Sequence, residues 1–200
     1  MHTRNSVTAA IASSVSVKLH LLSDEAFLGR IEQAVDALTH TFRSENRVYL
    51  CGNGGSAADA QHIAAEFSGM FYLKRRALPA EALHVNASFL TAVANDYSYA
   101  DIYKRSIEAF GKKGDILIGI STSGNSENII RAQEEARARG MTVISMTGKT
   151  GGKLRESANI LLNVPSTDTP RIQECHILIG HIMAESVERA LFGKNKKKSK

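Results

Sequence analysis

The sequence has little cysteine and none of the common nucleotide-binding loops. Its two cysteines, Cys51 and Cys175, are too few for a disulfide framework and lack the paired spacing of redox motifs or cysteine-based zinc sites. No glycine-rich stretch matches a Walker loop or the GxGxxG fingerprint of dinucleotide-binding proteins. We therefore do not expect a nucleotide as the first ligand, and a reducing cytoplasm is the expected location.

Net charge is also scarce once the end of the chain is set aside. The 200 residues carry a formal net charge of +5, but five lysines lie within 194–200, and the remainder has 20 basic and 20 acidic residues. A neutral body gives no support for nucleic-acid binding. We predict that 194–200 is a disordered, lysine-rich tail.

Long apolar runs and internal repeats are missing as well. The stretch 7–17 is mildly apolar, but three serines interrupt it, so we predict the first helix there and expect no run long enough to span a bilayer. With 43% hydrophobic and 22% charged residues, the composition is typical of a soluble globular domain. No membrane partner is expected.

The remaining sequence alternates strand-like and helix-like segments. Apolar residues at helical spacing from 28 to 42 follow the N-cap signal Ser23-Asp24-Glu25 and predict a second helix. The last helix is predicted to begin at Thr169-Pro170, with Thr169 as its N-cap, and to end at Phe192. The alternation predicts an α/β fold with a parallel sheet covered on both faces. The predicted strands are 47–51, 82–85, 116–120, 142–146 and 160–164, and the predicted helices between them are 56–71, a region through 110, 127–139 and 152–157.

Two loops combine glycine with hydroxyl side chains. Residues 51–56 (Cys-Gly-Asn-Gly-Gly-Ser) and 121–126 (Ser-Thr-Ser-Gly-Asn-Ser) each follow a predicted strand and open a predicted helix. Backbone N–H groups, hydroxyls and the positive end of a helix dipole together suit a phosphate dianion. Ligands of open α/β sheets bind beyond the carboxyl ends of the strands, so these loops predict a site for a phosphorylated ligand.

Two predicted helices carry the candidate residues for chemistry. His62 and Glu66 are four residues apart, so their side chains leave the helix about 40° apart and can share a metal ion or a proton. Gln173 and His181 are about 80° apart on one broad face, which His176 does not share. On spacing alone, a surface hydrogen-bonded pair remains an alternative for His62 and Glu66, and a core residue for His181.

Taken in order, these segments resemble the phosphoheptose isomerases of the sugar isomerase (SIS) domain superfamily. The resemblance runs from about residue 20 to 193. It implies a flavodoxin-like, doubly wound fold in which a five-stranded parallel sheet forms a three-layer α/β/α sandwich with added N-terminal helices. Residues 1–45 would be N-terminal helices that pack on the core and the oligomer interface, and 46–193 would be the SIS domain. The motifs that carry the resemblance are 51–56, Asp59-Ala-Gln-His62 with Glu66, Ala94-Asn95-Asp96, 121–126, and Arg171-Ile-Gln-Glu174 followed by His181.

The resemblance implies an aldose-ketose isomerase that converts sedoheptulose 7-phosphate to D-glycero-D-manno-heptose 7-phosphate through a cis-enediol. This would be the first step of nucleotide-activated heptose synthesis for lipopolysaccharide or another surface polysaccharide. Glu66 would take the proton from C1, and His181 would move protons at the oxygens. The implied phosphate ligands are Ser121, Thr122, Ser123 and Ser126, and the other implied substrate-binding residues are Asn53, Gly54, Gly55, Glu66, Asn95, Asp96 and Gln173.

The resemblance also implies one zinc ion per subunit, held by residues that match His62, Glu66, Gln173 and His181. Two imidazoles, a carboxylate and an amide oxygen form a plausible tetrahedral set. A metal on Glu66 and His181 would occupy the lone pairs that proton transfer needs, and the sequence leaves open whether zinc polarises or organises the site or belongs to a different state. A homotetramer with sites between subunits is implied too, and the amphipathic N-terminal helices are consistent with it.

Two other functions fit the glycine and serine loops. One is a non-catalytic SIS-domain regulator that binds the bacterial replication initiator, and the other is an isomerase of another sugar phosphate. The presence of both Glu66 and His181 argues against the regulator. Pro170 stands directly before Arg171, where some relatives have an acidic residue, so no catalytic help is assigned to an acid at that position.

Overall fold

The structure is a computed structural model that describes residues 2–193. The tail predicted at 194–200 lies outside the described residues. The elements are α1 (His2–Ser23), α2 (Glu25–Arg43), β1 (Val48–Gly52), α3 (Gly55–Ser68), β2 (Ala80–Ala82), α4 (Ala87–Asp96), a 3₁₀ turn (Tyr99–Asp101), α5 (Ile102–Phe110), β3 (Ile116–Ser121), α6 (Glu127–Ala138), β4 (Thr142–Thr147), α7 (Leu154–Ser157), β5 (Ile160–Asn163) and α8 (Thr169–Phe192).

The five strands form one sheet in the order β2-β1-β3-β4-β5, and every neighbouring pair is parallel. This is the flavodoxin-like order, in which the direction of winding reverses between β1 and β3. Every residue of β1 and β3 is buried, as expected for strands covered on both faces. The predicted five-stranded, doubly wound sheet is confirmed.

Alternate strand residues pack into two hydrophobic cores, one on each face of the sheet. In β1, Leu50 joins the core that contains residues of α2, α3 and α8, whereas Tyr49 and Cys51 join the core that contains residues of α5 and α6. The same alternation separates Ile118 from Leu117 in β3. The two covered faces make the predicted three-layer α/β/α sandwich.

The starts of α2 and α8 can be compared with the capping signals in the sequence. Asp24 caps α2, since its carboxylate accepts a hydrogen bond of 2.9 Å from the N–H of Phe27, as the sequence predicts. The predicted N-cap of α8 is wrong by one residue, because Asp168 is the N-cap and Thr169 is already helical. Pro170 is tolerated because first-turn N–H groups have no helical acceptor. The correction leaves the face that carries Gln173 and His181 unchanged.

The strand β2 differs most from its prediction, since it spans Ala80–Ala82 rather than 82–85. It is a three-residue edge strand that pairs with β1, with Ala80 opposite Val48. Two alanines around Glu81 carry little apolar signal, whereas Leu83 and the residues after it look more strand-like. Pairing with β1, which the local pattern cannot encode, decides the register.

The helix α1 confirms the first predicted helix but exposes an apolar row. Within 3–23, an 18-residue window has a mean hydropathy of 1.2 and is 6% buried, so by length and composition alone the helix could cross a membrane. The expectation that no run is long enough is wrong by that measure. One such helix near the N-terminus is weak evidence for a membrane span, because helices of soluble proteins and signal sequences pass the same test. The exposed row consists of Val7, Ile11, Val15, Leu19 and Leu22.

His176 is a buried histidine of α8 that lies against the carboxyl end of β4. It is fully buried, and its Nε2 lies 3.1 Å from the carbonyl oxygen of Thr147, to which it donates in the matching tautomer. Burial lowers the pKa of His176 to about 4, although the hydrogen bond to Thr147 acts to raise it. The folded protein therefore keeps this imidazole neutral.

This neutral histidine predicts a loss of stability in mild acid. Between pH 6.5 and about 4 the unfolded chain binds a proton at His176 that the folded chain does not, so stability falls as the pH falls. Because of His176, we expect the free energy of unfolding to fall by about 2 kcal/mol when the pH is lowered from 7.5 to 5. Urea unfolding at the two pH values measures the loss, and His176→Gln should remove most of it. Equal pH dependence in the two proteins would contradict the assignment.

Candidate active site at the ends of β1 and β3

The two glycine and serine loops lie side by side at the carboxyl edge of the sheet. They follow β1 and β3, which are hydrogen-bonded neighbours with Gly52 opposite Ile120. The strand order reverses between these two strands, and the crevice at such a switch point is where open α/β sheets bind ligands. The fold therefore brings together two loops that are about 70 residues apart in sequence.

The loop 121–126 gathers three serine hydroxyls at the start of α6. Ser121 Oγ lies 2.9 Å from Ser126 Oγ and 3.4 Å from Ser123 Oγ. Ser126 is the N-cap of α6, and its own side chain makes no capping hydrogen bond. Converging hydroxyls beside uncapped N–H groups at a helix N-terminus suit an anion. The predicted phosphate-binding residues Ser121, Ser123 and Ser126 are thus brought together, with Thr122 in the same loop.

A second segment, between β4 and α7, holds this phosphate loop in place. The N–H of Gly148 donates to the Thr122 carbonyl at 3.0 Å, and the N–H of Leu154 donates to the Gly124 carbonyl at 3.0 Å. The side-chain oxygen of Asn125 accepts a further bond of 3.0 Å from the N–H of Lys153. These bonds fix the loop before any ligand arrives, which lowers the ordering cost of binding.

Asn128 and Tyr99 are two residues of the site that the sequence analysis missed. The side-chain amides of Asn53 and Asn128 exchange two hydrogen bonds, of 3.0 and 2.8 Å. The Tyr99 hydroxyl donates to the same Asn53 oxygen at 2.9 Å. This bridge links the loop after β1 to α6, and it fixes the orientation of a predicted sugar-binding amide. In the sequence, Asn128 is marked only as a polar residue in the first turn of the helix that follows 121–126. Polar residues are too common at such positions for this pattern to single out Asn128.

The loop after β1 meets α8 at Gln173. A side chain at Gly55 would approach Gln173 Nε2 to 2.6 Å, so that amide lies directly against the loop. Among the described residues, no atom outside its own chain neighbours and the adjoining helix backbone lies within 4 Å of where a side chain of Gly54 would start, so that side of the loop has room for a ligand. Asn95 and Asp96 lie exposed at the end of α4 and hydrogen-bond each other at 2.9 Å. Among the described residues, no side-chain hydrogen bond joins these two to the rest of the site.

His62, Glu66 and His181 come together from α3 and α8. His62 Nε2 lies 3.0 Å from His181 Nε2 and 3.2 Å from Glu66 Oε1, and one ligand atom from each residue lies within 4.8 Å of the others. Close contact between the helices makes this possible, because a Cβ at Gly180 would collide with the side chain of Ile63. The predicted i,i+4 pair and the predicted histidine of the last helix therefore form one cluster.

This cluster could hold a metal ion. A zinc ion with bonds of about 2.0 Å holds neighbouring tetrahedral ligand atoms about 3.3 Å apart. His62 Nε2 lies close to that distance from both His181 Nε2 and Glu66 Oε1. Imidazole and carboxylate are ordinary zinc ligands.

Asp59 is an acidic residue one turn before His62 on α3. Burial raises the pKa of the Asp59 carboxyl, while His62 and His181 act to lower it. The cluster could therefore bind a metal ion or relay a proton, and the loop 121–126 could bind an anion.

Comparison with known proteins identifies the family of this site. The SIS domain family matches residues 14–148. A phosphoheptose isomerase from Clostridium acetobutylicum is 52% identical over 190 residues, which cover 95% of this chain and 97% of that protein. The chain belongs to the phosphoheptose isomerase family, within the SIS domains.

Solved structures of phosphoheptose isomerases have the same fold. The one from Neisseria gonorrhoeae superposes with a TM-score of 0.87 at 40% identity, covering 93% of this chain and 98% of that chain. The one from Francisella tularensis gives a TM-score of 0.90 at 35% identity, covering 94% and 100%. The likeness to phosphoheptose isomerases is therefore not confined to the two loops but extends over nearly the whole chain.

Proposed function

We propose that the protein isomerises sedoheptulose 7-phosphate to D-glycero-D-manno-heptose 7-phosphate. The observation that carries this proposal is the cluster of His62, Glu66 and His181 beside a ready phosphate loop, in a member of the phosphoheptose isomerase family. The protein is thus an enzyme of the aldose-ketose isomerase class that acts on a heptose phosphate. We propose that it catalyses the first step of nucleotide-activated heptose synthesis for a surface polysaccharide and that it works in the cytoplasm.

The reaction moves one hydrogen between adjacent carbons and one between their oxygens. Glu66 takes the proton from C1 to form the enediol and returns a proton to C2, so the carbonyl moves from C2 to C1. His181 transfers the proton from the C1 oxygen to the C2 oxygen. Ser121, Ser123 and Ser126 bind the phosphate, and Asn53 and Gln173 orient the sugar chain between the two ends of the site.

We further propose that His62, Glu66, Gln173 and His181 hold one zinc ion in each subunit. The chemistry of two imidazoles and a carboxylate supports the choice, with His62 Nε2 at 3.0 Å from His181 Nε2 and 3.2 Å from Glu66 Oε1. Gln173 lies on the same helix as His181, against the loop after β1. When bound, zinc would polarise the carbonyl and hydroxyl oxygens at C1 and C2. Zinc bound to Oε1 of Glu66 and Nε2 of His181, the atoms that face His62, would leave the second carboxylate oxygen and the second ring nitrogen for proton transfer.

We also propose a homotetramer in which α1 and α2, within residues 1–45, form much of the subunit interface, and 46–193 form the SIS domain. The exposed apolar row of α1 supports this, because large exposed apolar surfaces mark sites of association. A groove between α2 and α8 combines the apolar residues Leu28, Ile31, Val35 and Ile182 with the polar residues Glu32, Asp36 and Ser186. Light scattering coupled to gel filtration measures the subunit number.

Turnover of sedoheptulose 7-phosphate, followed by NMR for the aldose product, tests the proposed activity. We expect the heptose phosphate to be converted at a kcat/KM at least about tenfold above that for pentulose and hexulose phosphates. The assay is run on protein as purified, after chelation, and after zinc is added back. Binding of the sugar phosphate without turnover in all three states would indicate a regulator instead, and faster turnover of a shorter ketose phosphate would indicate another isomerase.

A further inference from the structure

Arg75 and Glu188 form a buried ion pair beside the candidate active site, and the proposed chemistry does not use it. Arg75 Nε lies 2.8 Å from Glu188 Oε2, and each side chain is only 2% exposed. Burying two charges is costly unless further hydrogen bonds satisfy them. The partners of this pair therefore indicate what it holds together.

The Glu188 carboxylate of α8 binds the chain segment that follows α3. Its Oε1 accepts bonds of 2.7 Å from the N–H groups of Tyr72 and Leu73, and its Oε2 accepts one of 3.3 Å from Phe71. Burial acts to raise the pKa of Glu188, but the bonds from these backbone groups and from Arg75 outweigh it and lower the pKa. The carboxylate is thus held in its charged form.

The Arg75 guanidinium binds the carboxyl end of α3. Its Nη2 donates to the carbonyl of Glu66 at 2.7 Å, and its Nη1 donates to the carbonyls of Phe67 at 2.8 Å and Gly69 at 3.2 Å. Carbonyls at a helix end lack helical donors and need other partners. Arg75 supplies these hydrogen-bond donors, and one of them binds the carbonyl of Glu66, whose side chain is the proposed base.

The same pair also reaches the proposed acid. Glu188 is seven residues after His181, so the two side chains leave α8 within about 20° of each other. Phe71, which donates its N–H to Glu188, places its ring 5.8 Å from the His181 ring, measured between centroids. One ion pair therefore contacts the backbone of α3 at Glu66 and the residue that packs on His181.

We propose that Arg75 and Glu188 are positioning residues that lock α3 to α8 and thereby set the separation of Glu66 and His62 from His181. This inference rests on the proposed function of that cluster and adds the device that holds it together. Among the described residues, no hydrogen bond joins the pair to the phosphate loop 121–126. Loosening the pair should therefore change the chemistry and the metal affinity but not the anchoring of the phosphate.

Two variants and a matched control test this proposal. Glu188→Gln removes the charge at constant shape. Arg75→Lys keeps the ion pair but loses the planar fork that reaches the carbonyls of Glu66 and Phe67 in α3 and of Gly69 just after it. The control, Ile107→Ala, deletes buried side-chain volume in the core on the opposite face of the sheet. For each protein, the melting temperature, kcat, KM and the zinc dissociation constant by competition with a chelator are measured.

We expect Glu188→Gln and Ile107→Ala each to lower the melting temperature by about 10 °C. Only the ion-pair variants should also lower kcat and zinc affinity by about 10- to 100-fold, with KM within about threefold of wild type. If Glu188→Gln does not fold, the same measurements on Arg75→Lys test the proposal. A lower melting temperature in the ion-pair variants, with unchanged kcat and zinc affinity, would overturn the proposal.

Failure of the proposed function would look different from failure of this inference. Wild-type protein without turnover would refute the isomerase activity, and the zinc affinities of the variants would still test whether the pair positions the cluster. An active wild type whose Arg75→Lys variant keeps full zinc affinity and full kcat would refute the positioning role alone.

Discussion

Glu66→Gln and His181→Gln are each expected to lower the kcat for sedoheptulose 7-phosphate by about 10²- to 10⁴-fold, because each removes a group that we propose moves a proton in the transition state. KM should change much less, since the phosphate loop is untouched. Turnover is followed by NMR, and in D₂O the same spectra report deuterium at the carbon that receives the proton. Glu66→Gln should abolish that incorporation.

The matched control for Glu66→Gln is Glu108→Gln. Glu108 lies on α5, across the sheet from α3 and α8, and pairs with Lys104 and Arg105, so it shares the chemistry of the substitution away from the cluster. Exposed pairs of this kind contribute little, and full activity is expected. Metal content is measured beside activity, because Glu66 and His181 are also proposed zinc ligands. Activity that returns to wild type when excess zinc is added to Glu66→Gln would contradict a direct role in proton transfer.

The parts of the site that the sequence predicts are those encoded locally. The loops after β1 and β3 are recognisable because glycine, serine and the onset of a helical pattern occur within six residues of an apolar run. His62 and Glu66 can be paired from spacing, since both lie on one helix. His181 joins them only by resemblance to a family, because it is 119 residues from His62 and no local pattern relates two helices.

The residues that the sequence analysis missed depend on distant partners. Asn128 pairs with Asn53 across 75 residues, and Glu188 pairs with Arg75 across 113. In the sequence, Glu188 looks like any glutamate of an amphipathic helix, because burial of the charge is decided by what the fold packs around it. Strand β2 was misplaced for a related reason, since a three-residue edge strand is defined by its neighbour rather than by its own residues.

The phosphate loop predicts a second large effect, at Gly124. Its φ is +68°, and a Cβ there would collide with the carbonyl of Gly151 and the backbone of Gly152, in the segment that holds the loop in place. Gly124→Ala should therefore push the loop away from that segment and separate its serine hydroxyls. Each hydrogen bond lost to a charged phosphate costs about 1.5–3 kcal/mol, so KM should rise by at least about tenfold.

Gly140→Ala separates this steric effect from backbone strain. Gly140 has a similar φ of +74°, so alanine at either position costs about 1–2 kcal/mol of stability. The nearest atom to a Cβ at Gly140 is Lys113 Cγ, at 3.3 Å, the middle of a flexible side chain that can move. Both variants should therefore melt at lower temperature, but only Gly124→Ala should raise KM and weaken competition by inorganic phosphate. Equal KM values in the two variants would mean that the substrate phosphate is bound somewhere other than 121–126, and the orientation of the sugar toward Glu66 would then have to be reversed.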